Sequence, residues 1–183
     1  TQNKALNDAI DAAAGTRLHL IGLLSAGGVH SHEDHFAAVI EHAASRGSEI
    51  VVHALLDGRD TPPQSAQDSL MRIEAQLTAL GAGRIGTVCG RYFGMDRDAR
   101  WERVRSAFDA MVHGQAEFTA PDPLVALEMA YARGETDEFV TPTLISADGT
   151  DVTISDGDAV VCMNFRADRA REISRAFVEQ EFD

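Results

Sequence analysis

Short, uninterrupted runs of apolar residues divide the chain into segments that we predict to be β-strands. Continuous runs rich in Val, Ile and Leu are typical of strands that are covered on both faces, as in a parallel sheet. The fourth run along the chain has the weakest pattern. Five buried parallel strands are predicted: Leu18 to Leu24, Ile50 to Leu56, Arg84 to Cys89, Phe139 to Ile145 and Ala159 to Phe165.

The segments between these runs repeat apolar residues at helical spacing. Helices are predicted at His35 to Ser45, Ser65 to Leu80 and Asp98 to His113. In the last of these, Trp101, Val104 and Phe108 fall on one face, which we interpret as a stripe that packs against the sheet. The alternation of strands and helices predicts the α/β class, with a three-layer α/β/α sandwich built on a mostly parallel sheet.

Two features lie outside this alternation. Residues 146–149 followed by Val152 to Ile154 predict a turn and a small β-hairpin arm. At the ends, Ala5 to Ala14 resembles the last part of a helix, and the predicted helix from Asp168 to Phe182 stops without a cap. We therefore expect one domain over residues 1–183, taken from a longer protein.

The formal net charge of -13 argues against some classes of partner. A phosphate backbone or an anionic membrane surface would be repelled, so we expect no nucleic-acid and no membrane partner. No apolar run approaches the ~20 residues that span a bilayer, and the first residues lack the pattern of a signal peptide. We expect a cytoplasmic protein in which Cys89 and Cys162 are buried small hydrophobic residues within strands.

Arginines follow the predicted strands at the points where the strands end. Ligands of open α/β sheets bind at these carboxyl ends, and guanidinium groups suit bidentate recognition of carboxylate and phosphate. Each arginine taken alone is more often a solvated surface charge, but five at one edge of an acidic protein repel one another unless an anion offsets them. The predicted site for a small phosphorylated carboxylic acid contains His30, Arg59, Asp60, Arg91, Arg97, Arg166 and Arg169.

Other residues near these strand ends have more than one interpretation. The paired glycines Gly27 and Gly28 allow the backbone to approach a ligand, and the helix start that follows favours anions. On the residues alone, Asp60 is either a proton acceptor held beside arginines or the side chain of an Asx turn.

The segment His30-Ser-His-Glu-Asp-His35 predicts a different class of site. It matches the His-x-His-x-Asp-His pattern of metallo-β-lactamase-like hydrolases, in which histidines and a carboxylate hold zinc. The remaining histidines do not follow the further ligand pattern of that family, and the α/β alternation disagrees with its four-layer sandwich. A zinc hydrolase is therefore the alternative, and the simpler interpretation gives His32 and His35 a role in capping or packing.

Four motifs, taken in chain order, resemble cofactor-independent phosphoglycerate mutase. They are Leu-Ser-Ala-Gly-Gly-Val-His-Ser-His at 24–32, Asp-Gly-Arg-Asp-Thr-Pro-Pro at 57–63, Gly-Arg-Tyr-Phe-Gly-Met-Asp-Arg-Asp at 90–98 with Arg-Trp-Glu-Arg at 100–103, and Asn-Phe-Arg-Ala-Asp-Arg at 164–169. The resemblance covers about Ala5 to Phe182 and falls within the inserted phosphotransferase domain of that two-domain enzyme. Ala26 is a mild departure, at a position outside the contact residues.

The resemblance implies an isomerase of glycolysis and gluconeogenesis that interconverts 3-phosphoglycerate and 2-phosphoglycerate. It also implies that a serine beside two manganese ions, in a covalently linked alkaline-phosphatase-like domain, carries the phosphoryl group, and that no 2,3-bisphosphoglycerate is required. Nothing in this chain matches that serine or the metal ligands. We expect a monomer in which this chain holds no metal and is inactive by itself.

The resemblance also implies a role for each matching residue. Arg91 and Arg97 hold the glycerate and its carboxylate, and Arg166 and Arg169 hold the phosphoryl group. Asp60 is the acid-base residue for the glycerate hydroxyl, positioned by Arg59 and His30. A second hypothesis, from another class, is an anion-binding module that uses the same arginines without catalysis.

Overall fold

The computed structural model describes residues 2–146 and 149–179. Within these residues a six-stranded sheet has the order β4-β5-β3-β2-β1-β6. The strands are β1 (Arg17–Leu23), β2 (Glu49–Leu56), β3 (Gly83–Gly90), β4 (Phe118–Ala120), β5 (Thr143–Ile145) and β6 (Ala159–Cys162). β1, β2, β3 and β6 run parallel, whereas β5 is antiparallel to β3 and parallel to β4.

Helices cover both faces of the sheet, which confirms the three-layer α/β/α prediction. Over the described ranges they are α1 (Lys4–Ala12), α2 (Glu33–Ala44), α3 (Ala66–Leu80), α4 (Arg91–Gly94), α5 (Trp101–Val112), α6 (Pro123–Ala132) and α7 (Arg171–Val178). Short 3-10 turns lie at Asp137–Phe139 and Ala167–Arg169. The predicted helices over 35–45, 65–80 and 98–113 correspond to α2, α3 and α5.

The larger core lies on the face that α1, α2, α3 and α6 cover. Phe36 and Ile40 of α2 and Leu70 of α3 are fully buried there against the sheet. Each such side chain stabilises the fold by about 1.5–3 kcal/mol through removal of apolar surface from water. Because helices cover the opposite face of the sheet as well, the central strands have continuous apolar runs rather than alternating ones.

A smaller core lies on the opposite face, under α5 and α7. Val104 and Met111 of α5 are buried, and Ile173 of α7 packs with them. Trp101 and Phe108 are partly buried against this cluster, so the helical stripe that begins at Trp101 does pack against the sheet. α7 is thereby fixed beside the loop that precedes α5.

The fourth predicted strand differs from the observed one in length and direction. Only Thr143–Ile145 is a strand, and it runs antiparallel to β3. Residues Asp137–Phe139 form a 3-10 turn instead. Periodicity does not encode strand direction, so this difference follows from tertiary pairing.

Two described elements were not predicted. α6 is apolar around most of its circumference, so it has no helical periodicity to detect, although Asp122 caps it and Pro123 occupies its first turn. β4 has three residues, too few for a pattern.

The last predicted strand is shorter and less buried than expected. It ends at Cys162, and as an edge strand it leaves Val160 and Cys162 exposed. The prediction that both cysteines are buried is therefore correct for Cys89 and wrong for Cys162. Burial raises the pKa of the Cys89 thiol to about 12, which makes it an inert hydrophobic residue.

The described ranges bear on two further predictions. The hairpin arm includes residues 147 and 148, which lie outside the described residues, and Val152 to Ile154 form no strand. The Ile154 N–H instead donates to the Met111 carbonyl at 2.9 Å. Residues 180–182, which the sequence analysis placed in the C-terminal helix, also lie outside the described ranges, and α7 ends at Val178. Among described residues, no helix is long and apolar enough to span a bilayer.

A chain of polar side chains crosses three buried strands on the α5 face. His19 Nε2 lies 3.1 Å from Asp158 Oδ2, His19 Nδ1 lies 2.9 Å from His53 Nε2, and His53 Nδ1 lies 2.9 Å from Thr87 Oγ1. Because Asp158 accepts from His19, the neutral tautomers are fixed in order: Thr87 donates to His53, and His53 donates to His19. Burial lowers the pKa of His19, and burial followed by the field of His19 lowers that of His53 further.

We predict that this histidine chain destabilises the fold in acid. Both folded-state pKa values lie below the unfolded value, so the unfolded state binds protons first as the pH falls below about 6.5. His53→Gln should reduce this loss of stability. The free energy of unfolding, measured by urea titration across that range, provides the check. The control His113→Gln changes an exposed histidine, and equal pH slopes for His53→Gln and wild type would contradict the prediction.

Candidate anion-binding cleft

Four loops meet at one edge of the sheet because β1, β2, β3 and β6 are parallel. We name them loop 1 (residues 24–32), loop 2 (57–65), loop 3 (90–100) and loop 4 (163–170). Each carries predicted site residues. The sheet therefore brings side chains that are far apart in sequence to one edge.

The reversed direction of β5 adds a fifth segment at this edge. β5 starts where the parallel strands end, so the preceding turn, Asp137–Phe139, lies beside loop 2. Glu138 Oε1 lies 3.3 Å from Arg59 Nη1, and Phe139 contacts Tyr92 with ring centroids 5.2 Å apart. Sequence reasoning missed Glu138 and Phe139, because their place depends on strand direction.

A cleft of about 300 Å³ lies between these segments, and we name it the arginine cleft. Four of the five predicted arginines line it: Arg59, Arg91, Arg97 and Arg169. The other lining residues are Tyr92, Asp96, Asp98, Arg103, Glu138 and Phe139. Arg103 stacks on the Tyr92 ring, with its guanidinium carbon 3.9 Å from the centroid.

Asp57 joins three of the loops through one buried carboxylate. Its Oδ2 accepts from Ser25 Oγ of loop 1 at 2.6 Å, and its Oδ1 accepts from Arg91 Nη1 of loop 3 at 2.7 Å. The same Oδ1 accepts from the Asp60 backbone N–H of loop 2 at 2.9 Å. Although burial opposes ionisation, these hydrogen bonds and the Arg91 charge hold the pKa of Asp57 below its ordinary value.

Asp60 lies between Arg91 and His30. Its Oδ2 is 2.6 Å from Arg91 Nη1 and 3.9 Å from His30 Nε2. Asp57 is the side chain that accepts from the backbone of this turn, so the Asx-turn role considered for Asp60 belongs to Asp57. The Asp60 carboxylate is instead directed toward a cation and an imidazole.

His30 is buried, with 4% of its surface exposed. Its backbone carbonyl accepts from the Phe165 N–H of loop 4 at 2.9 Å, which fixes loop 1 against loop 4. Its Nδ1 is buried and has no partner among the described residues. Burial, followed by the charges of Arg91 and Arg166, lowers the pKa of His30, which keeps the imidazole neutral near pH 7.

Arg97 and Arg166 share one carboxylate. Arg97 Nη1 and Arg166 Nη2 each lie 3.1 Å from Asp168 Oδ2. Arg166 does not line the arginine cleft, but this bridge places it beside Arg97. All three side chains are between a third and a half exposed, so their groups are accessible to a ligand.

Arg169 is the arginine most affected by the other cations. Its Nη1 donates to the Met95 carbonyl at 3.0 Å, and its Nε is buried without a partner among residues that the structure describes. Burial, followed by repulsion from Arg97, Arg91 and Arg59, lowers the pKa of this guanidinium. A bound anion would relieve that repulsion and could accept from an N–H group in the cleft.

Gly58 allows loop 2 to approach the Asp137–Phe139 turn. Its φ is +64°, and a Cβ there would lie 2.8 Å from the Glu138 backbone nitrogen. A larger residue would therefore displace Glu138 and its partner Arg59.

The histidines of the zinc-like motif do not converge. His30 faces Asp60, whereas the His32 ring caps α2 by accepting from the Asp34 N–H at 3.1 Å. His35 contacts the Phe165 ring edge-on. Over residues 2–146 and 149–179, no group of three or more His, Cys, Asp or Glu side chains is arranged to hold a metal ion. The zinc-hydrolase alternative has no support in this geometry, and His32 and His35 have the capping and packing roles of the simpler interpretation.

The fold and the cleft define a class: an α/β domain with an arginine-lined site at the carboxyl edge of its sheet. Residues 1–183 match the family model described as "BPG-independent PGAM N-terminus". The chain therefore belongs to this family of 2,3-bisphosphoglycerate-independent phosphoglycerate mutases, as the four motifs indicated.

Individual relatives agree with this assignment. The chain is 56% identical over 186 residues to the 2,3-bisphosphoglycerate-independent phosphoglycerate mutase of Pseudomonas aeruginosa, covering 100% of this chain. The mutase of Escherichia coli K12 is 56% identical over 185 residues, covering 99%. The chain spans 36% of the length of either relative.

A solved structure has the same fold. The phosphoglycerate mutase of Leishmania mexicana, crystallised at low cobalt concentration, superposes with a TM-score of 0.87 and 36% identity. The superposition covers 97% of this chain and 37% of that protein.

We predict that Asp57→Ala strongly destabilises the chain. The substitution removes one partner of a buried ion pair, a change that costs about 3–5 kcal/mol. Asp57→Asn keeps an acceptor for the turn and should cost less. Urea denaturation measures the free energy of unfolding. The control Asp8→Ala breaks only the exposed pair with Lys4 and should cost under about 1 kcal/mol. Equal losses for Asp57→Ala and Asp8→Ala would show that Asp57 does not join the loops.

Proposed function

We propose that this chain is the substrate-binding part of a cofactor-independent phosphoglycerate mutase that interconverts 3-phosphoglycerate and 2-phosphoglycerate. The observation that carries the proposal is the convergence of Arg59, Arg91, Arg97 and Arg169 on one cleft. Family membership favours a phosphoglycerate as the anion, because the names of the relatives state a phosphoglycerate mutase activity. With Arg103, five arginines line this cleft of an acidic chain, and they favour a multiply charged ligand.

The proposed division of roles is the one that the family resemblance implies. Arg91 and Arg97 hold the glycerate and its carboxylate, and Arg169 with Arg166 holds the phosphoryl group. The repulsion that Arg169 meets from Arg97, Arg91 and Arg59 supports this role, because an anionic phosphoryl group in the cleft would offset it. Arg59, whose Nη1 lies 3.3 Å from Glu138 Oε1, is proposed to position Asp60 together with His30.

Asp60 is proposed as the acid-base residue. In the first half of the reaction, a serine oxygen outside this chain forms a bond to phosphorus, and the bond from phosphorus to the 3-oxygen of glycerate breaks. Asp60 enters this half protonated, supplies the proton that this oxygen takes up, and is left as the carboxylate. In the second half, Asp60 accepts the proton of the 2-hydroxyl as that oxygen bonds to phosphorus and the serine oxygen leaves. Arg91, 2.6 Å away, fixes the carboxylate for both transfers.

The remainder of the catalytic machinery is proposed to lie in a covalently linked phosphatase-like domain. The chain's 36% share of its relatives' length leaves ample sequence for such a domain. We propose that the two manganese ions bind there, as the family resemblance implies. Closure of the two domains around the glycerate would keep it from escaping while it reorients.

Substitutions in the full-length protein test this assignment. Asp60→Asn should lower kcat by about 100-fold or more with little change in KM, because it removes proton transfer and retains shape. Arg97→Ala should raise KM by about tenfold or more, because a charge-assisted contact is lost. Steady-state mutase assays measure both parameters.

A matched arginine provides the control for these assays. Arg46→Ala changes an arginine that pairs with Asp11 away from the cleft, and it should leave both parameters unchanged. If the wild-type full-length protein binds phosphoglycerate but does not turn it over with its metal sites filled, the chain belongs to a non-catalytic anion-binding module instead. If it neither binds nor converts phosphoglycerate, the substrate assignment is wrong.

The isolated chain is predicted to bind phosphoglycerate weakly and to show no mutase turnover, because the serine and part of the cleft wall are supplied elsewhere. Calorimetric titration and a coupled mutase assay on residues 1–183 measure these two properties. Turnover by the isolated chain would contradict the proposed division of the enzyme.

The proposed monomeric state and cytoplasmic location rest on the family resemblance and on the sequence pattern. Light scattering of the full-length protein and fractionation of the source cells test them directly. A stable dimer in solution, or recovery outside the cytoplasmic fraction, would contradict them.

A further inference from the structure

Loop 3, which carries Arg97, also contains a residue whose backbone conformation needs support from other segments. Ala99, two residues later, has φ +55° and is the one non-glycine residue at positive φ within the described ranges. Such a conformation persists only where surrounding contacts determine it. The Ala99 N–H donates to Glu172 Oε1 of α7 at 3.1 Å.

A second carboxylate fixes the same loop from inside. Asp96 is 3% exposed, and its Oδ2 accepts from the backbone N–H groups of Asp98 and Arg100, both at 2.9 Å. Its Oδ1 lies 3.1 Å from Arg103 Nη1 of α5. Asp96 thereby holds Asp98 and Arg100, the residues on either side of Ala99.

The two carboxyl groups lie beside each other. Glu172 Oε2 is buried and finds no donor among the described residues if both groups are ionised. A hydrogen bond between the Asp96 and Glu172 side chains requires one proton between them. Burial and the Asp96 charge raise the pKa of Glu172, so the proton resides there, whereas backbone donors hold the pKa of Asp96 down against its burial.

This pair connects the two arginine-bearing loops across the cleft. Glu172 lies in the first turn of α7, immediately after loop 4, which carries Arg166 and Arg169. Arg169 also reaches loop 3 directly, through the Met95 carbonyl. Loop 3 and loop 4 are thus joined at Met95, at Asp96 and at Ala99.

We propose that Asp96 and Glu172 are positioning residues that fix Arg97 and Arg169 relative to each other through their hydrogen bonds to the backbone of loop 3. The inference deepens the proposed function and rests on it, because the arginines so positioned are those assigned to phosphoglycerate. Loss of the shared proton places two carboxylates in contact, releases the Ala99 segment and weakens ligand binding.

The charged groups around Asp96 and Glu172 determine which of the two carboxyl groups is ionised. Arg103 of α5 stabilises the charge on Asp96, and Asp98 of loop 3 raises the proton affinity of Glu172. Arg175, one turn further along α7, lies close enough to feel the Glu172 charge. The cations favour ionisation of one carboxyl group, and the proximity of Asp96 and Asp98 opposes ionisation of the second.

The first test does not depend on the ligand. A group whose folded-state pKa is raised contributes stability at low pH and loses it as the pH rises through that pKa. Glu172→Gln keeps the acceptor for Ala99 and donates to Asp96 at every pH. The wild-type chain should therefore lose stability relative to Glu172→Gln as the pH rises from the ordinary pKa of a glutamate, about 4.3, through its raised folded-state value. Glu41→Gln, an exposed change on α2, is the control, and parallel pH profiles for wild type and Glu172→Gln would overturn the shared proton.

The second test uses 3-phosphoglycerate titrated into the chain and followed by NMR over the same pH range. Wild-type affinity should fall relative to Glu172→Gln by about tenfold toward high pH, the loss expected for one charge-assisted hydrogen bond. Glu172→Ala should bind weakly throughout, and recovery with Gln separates positioning from general destabilisation.

The outcomes separate this inference from the proposed function. If no variant binds 3-phosphoglycerate at any pH, the proposed function fails, and the stability profiles still decide whether the proton is shared. If all variants bind with the same pH dependence, the positioning role is overturned while the proposed function stands.

Discussion

The buried carboxylate of Asp57 is the constraint on which the site depends. It is 3% exposed and joins loop 1, loop 2 and loop 3 through Ser25, Asp60 and Arg91. Arg91, 4% exposed, can be buried because Asp57 compensates its charge. The chain thereby holds a cation beneath the cleft where an isolated charge would be too costly.

A second set of contacts extends this arrangement to loop 4. Asp168 bridges Arg97 and Arg166, Arg169 donates to Met95, and Glu172 supports Ala99. Each arginine that lines the cleft is therefore oriented by a carboxylate or a carbonyl group of the chain. This pattern explains how an acidic chain of net charge -13 maintains a local concentration of positive charge.

Much of the fold was predictable because its central strands are covered on both faces. The runs at β1, β2 and β3 follow from burial alone, and the arginines at their carboxyl ends were identified from position. β5 was predicted in the wrong direction and α6 was missed, since neither strand direction nor an evenly apolar helix has a periodic signature. The edge position of β6, and with it the exposure of Cys162, depends on which strands become neighbours.

The sequence by itself determined the class of fold, the family and the set of arginines, because these depend on residue type and on order along the chain. Tertiary structure decided which groups hold those arginines. Glu138 reaches Arg59 only because β5 is reversed, and Glu172 meets Asp96 only because α7 packs beside loop 3. Hydrogen bonds and charges act over a few ångströms, so contacts between distant segments exist only once the sheet has set their positions.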